Sequence, residues 1–250
     1  MKTTISQNEL LVIGGAGLLG TELKKYFPQA HFTDKELIDV TKPETIDTFL
    51  DNNTIKTVVH MAALMPPKKS DEDPAASVQV NIIGVANVAV ACMKRNIRMI
   101  YISTDYVFRG DEGDYKEEDS LYAPNKYAWS KLGGECVMRM YGNGVIVRLS
   151  FGPMKFPYPK AFSDQYTSKE SVGVVAQKIA KIIESDFLGV IHIGGKRRSV
   201  FEYAKSLEGS EAVEAMSRLD VRDYIVPKDT SLNSTKYDQL FNSEKEYGLI

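Results

Sequence analysis

The sequence predicts an α/β fold in which one doubly wound parallel sheet is followed by a small C-terminal lobe. Three observations carry this. Strand-like and helix-like patterns alternate through the first 150 residues, the order in which helical crossovers join parallel strands. The strand-like pieces are short, continuous apolar runs, as expected of strands covered on both faces. A turn containing four glycines, Gly14-Gly15-Ala16-Gly17-Leu18-Leu19-Gly20, sits where the first strand gives way to the first helix.

Taken in order, Leu10-Leu11-Val12-Ile13 is the first strand. Residues 17–26 read as a helix ended by Pro28, and residues 30–33 as a second strand. Residues 43–50 are helical, with Thr41 as N-cap and Pro43 in the first turn. Thr57-Val58-Val59-His60 is a β-branched third strand. Residues 74–95 place Val78, Ile82, Val85, Val88 and Ala89 at helical spacing, which gives a long helix with one face inward. Residues 99–102 form a strand, 125–141 a second long helix and 144–149 another strand. Residues 151–166 carry three prolines and many aromatics without a period, and read as an irregular connection. A helix at 171–185, a strand at 190–193 and a helix at 200–207 follow. Residues 1–150 therefore form the main domain. Residues 151–250 form a small lobe packed on it, some of whose residues return to the main sheet.

A chain of 250 residues suits one large α/β domain, or one domain with such a lobe. An apolar fraction of 43% is enough for a sizeable core, and a net charge of −2 gives no field to draw nucleic acid. Lys68-Lys69 and Lys196-Arg197-Arg198 read as solvated loops. Cys92 and Cys136 fall in helical stretches without Cys-x-x-Cys spacing, so both are expected as buried free thiols in a reducing compartment. The N-terminal apolar run is short and broken by glycines, so neither a signal peptide nor a membrane span is expected. The default is a cytoplasmic protein with no membrane or nucleic-acid partner. His31, His60 and His192 have no ligand spacing, and no metal site is expected. His60 ends the third strand, where contact with a ligand and a structural role stand as alternatives.

The glycine turn has a steric reason. Gly17 lets a pyrophosphate approach backbone N–H groups that a Cβ would shield, and Gly20 lets the helix pack on the strand. Asp34 follows at the end of the second strand, about 20 residues on, where a carboxylate accepts from the adenosine ribose hydroxyls. The fold is therefore Rossmann-type, and the cofactor is NAD(H) or NADP(H). Asp34 favours NAD, and Lys35 beside it offers a partner for the extra phosphate of NADP.

Tyr127 and Lys131 lie four apart on a helix and share a face. A lysine cation there favours the phenolate and would lower the tyrosine pKa toward working pH, making Tyr127 a general acid or base. Lys131 can also hold the nicotinamide ribose. Ser103 and Thr104 leave the strand at its carboxyl edge, where the Thr104 hydroxyl can bond a substrate carbonyl. Hydride from the dinucleotide, a proton from Tyr127 and orientation by Thr104 suffice to reduce a carbonyl.

GGAGLLG at 14–20, Met61-Ala62-Ala63, Asn81, STDYVF at 103–108 and YAWSK at 127–131 together resemble the extended short-chain dehydrogenase/reductases that act on nucleotide-sugars. The block from Ile102 to Glu135 is similar to the dTDP-4-dehydrorhamnose reductase family, with further likeness at 163–176, 189–195 and 229–237. The resemblance implies reduction of the 4-keto group of a nucleotide-linked 6-deoxyhexose, with Thr104, Tyr127 and Lys131 catalytic. It implies cofactor contacts from Gly14, Gly17, Leu18, Leu19, Gly20, Asp34, Asp39, Val40, Met61, Ala62, Ala63, Ser103, Tyr127, Lys131 and Ser150, and from Asn81 in a structural or water-organising role. Similar 4,6-dehydratases carry Asp-Glu after the threonine. Here Asp105-Tyr106 stands there, which argues against dehydration. A nucleotide-sugar 4-epimerase and a non-catalytic dinucleotide-binding subunit, like the methionine adenosyltransferase β-subunit, are the alternatives. The two long helices form a dimer contact in similar enzymes, so a homodimer is implied, with Trp129 packing outward or at a partner surface. The segment after Ser150 is shorter than in the family. Its Phe151, Phe156, Tyr158 and Phe162 stand open between stacking a base and plain packing.

Overall fold

The computed structural model describes residues 5–65, 67–221 and 226–242. From β1 (Leu10–Ile13) the chain passes through the glycine turn into α1 (Leu18–Leu23), β2 (His31–Thr33), α2 (Pro43–Asn52) and β3 (Thr57–His60). Then α3 (Pro67–Glu72), α4 (Pro74–Val78) and α5 (Gly84–Arg95) lead to β4 (Arg98–Ile102), and α6 (Lys126–Arg139) leads to β5 (Gly144–Leu149). Four two- or three-residue strands follow: β6 (Phe151–Gly152), β7 (Lys160–Phe162), β8 (Tyr166–Thr167) and β9 (Glu170–Ser171). The chain continues through α7 (Val172–Ile183), β10 (Gly189–Ile193), β11 (Arg198–Ser199), α8 (Val200–Lys205), β12 (Glu214–Met216) and α9 (Thr235–Phe241).

The main sheet has the order β10-β5-β4-β3-β1-β2, and every pairing in it is parallel. The chain leaves β1 for β2 on one side and returns to β3 on the other. At that reversal the flanking connections part, and a crevice opens beyond the carboxyl ends of the strands. Side-chain alternation along β1 splits the core into two layers. Leu10 and Val12 face Leu23, Val175 and Ile179 from α1 and α7. Leu11 and Ile13 face Ile46, Val85 and Val88 from α2 and α5.

β10 pairs with β5, so residues 172–193 return to the main sheet. Arg98 helps to seat them. Its guanidinium donates to Ile183 O and Ile182 O at 3.1 Å and to Phe187 O at 2.9 Å, satisfying carbonyls at the end of α7. The smaller pairings, β6 with β9, β7 with β12 and β8 with β11, organise the segments outside the sheet. Two of the short strands, β6 and β7, and the first residue of β8 thus lie within 151–166, where an irregular connection is expected.

The helix at 74–95 contains one wide turn, Gln79–Ile83, of the π type. The extra residue shifts the facing and turns Asn81 fully inward. This helix is long and apolar enough to cross a membrane by composition, yet Val85, Val88, Ala89 and Cys92 pack into the sheet, the role of a core helix. α6 starts one residue later than periodicity suggests, because Asn125 serves as its cap and accepts from Ala128 N–H at 2.8 Å.

Several expectations are corrected. Thr41 is not the cap of α2: Lys42 holds that position without a side-chain bond, and the Thr41 hydroxyl donates to the Asp39 carboxylate at 2.7 Å. α1 is shorter than 17–26, closing at Lys24. Cys92 is buried, with its thiol pushed up to about 12 by loss of solvent, but Cys136 lies on the outer face of α6 and is exposed. The run 196–198 is not simply solvated. Arg197 pairs with Asp229 at 2.6 Å and lies 3.9 Å from the Tyr166 ring centre, and Arg198 opens β11. Trp129 is 54% exposed, in line with an outward position.

Because α7 belongs to the main core, Ile179→Ala should lower the stability of the whole unit by about 2–5 kcal/mol, the usual cost of a large-to-small change at a fully buried site. Urea unfolding followed by circular dichroism and by Trp129 fluorescence should show one common transition at a lower midpoint. Two separated transitions would place α7 in an independent unit.

Candidate active site

The crevice widens into a cavity of about 1810 Å³, more than one small ligand fills. Its walls come from the ends of four parallel strands, at Ile13, residues 61–65, 102–106 and 149–153, with the lobe closing the far side.

At the β1 end, Gly14 has φ +85°, a conformation that disfavours side chains, and a Cβ there would lie 2.7 Å from Ala62 N. The turn is thus pressed against the loop after β3. At Gly20 a Cβ would strike the Gly15 backbone, so α1 and the turn fit only with glycine. Gly17, the N-cap of α1, differs: a Cβ there would meet only Gly14 O, at 3.6 Å. The space beside it is the cavity, and a side chain would fill it. Leu18, Leu19 and Gly20 line the same space, so the turn fits a pyrophosphate at a helix start. Asp34 accepts the N–H groups of Glu36 and Leu37 at 3.0 and 3.2 Å, which fixes its carboxylate in the wall beside Lys35. Asp39 and Val40 line the next stretch, and the Thr41 hydroxyl holds the Asp39 carboxyl below its usual range. Met61, Ala62, Ala63 and Ser150 complete this part of the wall.

The other end of the cavity brings together Thr104, Tyr127 and Lys131. Tyr127 and Lys131 are 8% and 3% exposed. Lys131 Nζ sits 4.2 Å from the centre of the Tyr101 ring, and the Tyr101 hydroxyl donates to Lys131 O at 3.1 Å. The Thr104 hydroxyl donates to Asp105 Oδ1 at 3.1 Å and accepts from Tyr106 N–H at 3.3 Å. The same hydroxyl favours the ionised form of the Tyr127 phenol. Asp105 Oδ2 accepts from Thr230 at 2.7 Å, which ties the lobe to this corner.

The electrostatics reverse one expectation. Burial, helped by Asp105 and Tyr106, raises the Tyr127 pKa rather than lowering it, with Thr104 opposing. Burial also pushes Lys131 down to about 7, with Glu135 opposing, so it is a weak counter-charge for the phenol. Tyr127 is therefore held as the protonated acid.

All the cofactor and catalytic residues named from sequence line this one cavity except Asn81. Asn81 is wholly buried behind the wall, where its Nδ2 donates to Ser130 Oγ at 2.8 Å and its Oδ1 accepts Leu64 N–H at 2.7 Å. It pins the 61–65 loop to α6. Ser103 lines the cavity but donates its hydroxyl to Glu135. His60 is outside the wall: it is buried against Tyr101 and kept neutral, pushed down to about 3 by loss of solvent and by Lys131. Phe151, Tyr158 and Phe162 line the cavity, while Phe156 turns away to pack near Ala161 and Val200. Asp105, Gln165 and Lys169 are polar wall residues that sequence reading missed. Gln165 and Lys169 lie in the 163–176 block, and Asp105 within the 103–108 motif, but no spacing marks them as facing inward. No group of three His, Cys, Asp or Glu that could hold a metal ion occurs among the described residues.

Residues 8–181 match the family described as the RmlD substrate binding domain. A dTDP-4-dehydrorhamnose reductase of Aggregatibacter actinomycetemcomitans is 25% identical over 93% of this chain and 92% of its own. Methionine adenosyltransferase 2 subunit beta of Rattus norvegicus is 24% identical over 96% of this chain and 84% of its own. Among solved structures, dTDP-4-dehydrorhamnose reductase from Bacillus anthracis str. Ames in complex with NADP has the same fold, with a TM-score of 0.84 at 24% identity over 93% of this chain and 92% of that one.

Gly17→Val tests the turn. A Cβ at Gly17 meets nothing closer than Gly14 O at 3.6 Å, so the melting temperature should stay within a degree or two, while dinucleotide affinity, read by fluorescence titration, should fall at least about tenfold. Unchanged affinity would mean that nothing binds against the turn.

Proposed function

The chain belongs to the RmlD substrate binding domain family, and we propose that it reduces the 4-keto group of a nucleotide-linked 6-deoxyhexose with NADH or NADPH. It is an NAD(P)-dependent oxidoreductase of the extended short-chain dehydrogenase/reductase type. The observation that carries the reading is the convergence of Thr104, Tyr127 and Lys131 in the cavity that begins at the glycine turn.

The bound dinucleotide supplies the hydride. Tyr127 supplies the proton: its O–H bond breaks as a new O–H bond forms on the carbonyl oxygen of the sugar. Because its hydroxyl is held above the ordinary phenol range, Tyr127 enters the step protonated. The phenolate that remains shares a helix face with Lys131 and is favoured by the Thr104 hydroxyl. With a pKa near 7, Lys131 exists in both protonation states at neutral pH and can return a proton. Asp105, Gln165 and Lys169 offer polar contacts to sugar hydroxyls, and Phe151, Tyr158 and Phe162 offer flat surfaces for a base.

Asp34 in the ribose wall disfavours a 2′-phosphate, which points to NADH over NADPH. A cytoplasmic site of action is part of the same reading, since both ligands are phosphorylated metabolites that do not cross bilayers unaided. The likeness to the rat β-subunit keeps a regulatory role as the second reading. The assembled catalytic set weighs against it.

Purified protein should oxidise NADH in the presence of dTDP-4-keto-6-deoxyhexose, with a higher kcat/KM than for NADPH. Tyr127→Phe should lose about 10²–10⁴-fold in kcat while still binding NADH. Dinucleotide binding without turnover would favour the regulatory reading, and NAD⁺ retained through purification would favour an epimerase.

A homodimer through the two long helices fits the exposed Val78, Ile83 and Val90 on one and Trp129 and Met140 on the other. Light scattering should give twice the 27.9 kDa chain mass, and Trp129→Glu should return it to the monomer value. A wild-type monomer would rule this contact out.

A further inference from the structure

α6 buries a third ionisable side chain beyond Tyr127 and Lys131. Glu135 lies one turn past Lys131 on the same face, fully shielded from solvent. Ser103 Oγ donates to its Oε1 at 2.5 Å. Arg148 on β5, also fully buried, donates from Nε to both carboxylate oxygens at 3.0 and 3.2 Å and from Nη2 to Oε2 at 2.8 Å. Arg148 is itself held. Its Nη1 donates to Glu117 O at 3.2 Å and lies 3.3 Å from His192 Nε2. His192 Nδ1 faces the Tyr115 carbonyl at 3.0 Å, so Nδ1 carries the ring proton and Nε2 accepts from Arg148.

The desolvation cost of a buried pair offsets most of its attraction, so stability alone is a weak account of it. Its placement is more informative. The groups set against Lys131 are His60 from β3, the Tyr101 ring from β4 and Glu135 from α6, with Tyr127 one turn before it on the same helix face. Of these, only Glu135 carries a negative charge. Ser103 immediately precedes Thr104, so the same carboxylate ties the threonine's strand end to the helix that carries Tyr127.

We propose that Glu135 is a positioning residue for the reduction: it is the counter-charge that favours the ammonium form of Lys131 beneath the nicotinamide ribose, and Arg148 and Ser103 fix it there. This rests on the reductase reading. The role differs from that of a structural ion pair because it acts on Lys131's protonation and not only on packing.

The test is the pH dependence of NADH binding, read by nucleotide fluorescence between pH 6 and pH 9.5, with a melting curve for each protein. It needs no sugar substrate, so its outcome is separate from whether the sugar is rightly assigned. Lys131 is an ammonium below its pKa, so wild-type binding should weaken as pH rises through that value, and Lys131→Met should remove this limb. Glu135→Gln takes away the counter-charge, leaves burial unopposed, and should move the limb to lower pH by about one unit. Arg148 is then unpartnered, so the single variant can fail to fold. Glu135→Gln combined with Arg148→Met replaces the pair with neutral side chains and should keep the fold. Its limb should also sit below wild type, by less than in the single variant, because the more distant positive charge goes too. A limb at the wild-type pH in the folded variants would overturn the proposal and leave the pair a structural one.

Discussion

Three ionisable side chains on two turns of one helix, wholly inside the protein, set the terms for the rest of the structure. Tyr127, Lys131 and Glu135 leave α6 on a single face, and that face is turned away from solvent. Each must find partners or neutralise. The solution draws in every neighbouring element. β4 supplies Tyr101 and, just past its end, Ser103, β5 supplies Arg148, β10 supplies His192, and the wide turn before α5 supplies Asn81 for Ser130. The burial of charge thus ties α6 to each element around the Thr104–Tyr127–Lys131 corner.

The dinucleotide end of the cavity follows from a different constraint, the approach of backbone to backbone. Gly14 lies against Ala62, and Gly20 against Gly15, at separations that no side chain permits. This draws β1, α1 and the loop after β3 together at the point where the strand order reverses. The same contacts leave Gly17 facing open space. One end of the cavity is therefore shaped by missing side chains, and the other by charged ones that must be satisfied.

The lobe is joined to this frame by a short strap rather than by an extended core. Asp229, Thr230, Ser231 and Leu232 are all buried. Asp229 N–H donates to Gly110 O, Thr230 to Asp105 and Ser231 holds Asp114 N–H. Through Thr230 the strap reaches Asp105, which accepts the Thr104 hydroxyl's hydrogen bond, so the lobe's position and that hydroxyl are coupled. The segment after β5 places Phe151, Tyr158 and Phe162 in the wall of the cavity.

Much of this was legible along the chain. The apolar runs, the glycine turn with Asp34 beyond it, and Tyr127 and Lys131 four apart on a helix are local patterns, and local backbone geometry turns them into strands, a phosphate turn and a shared helix face. The tertiary structure decided what depends on burial and on distant partners. It gave Asn81 its structural partners, Ser130 and the Leu64 N–H, left Cys136 outside, fixed residues 189–193 as the strand that returns to the main sheet and gave Glu135 its partner in Arg148. It also raised the Tyr127 pKa where spacing alone predicted a fall. The sequence by itself determined which chemical groups are present and which helix face they share. Only the tertiary structure determined their protonation, because loss of solvent outweighs the effect of a neighbour one turn away.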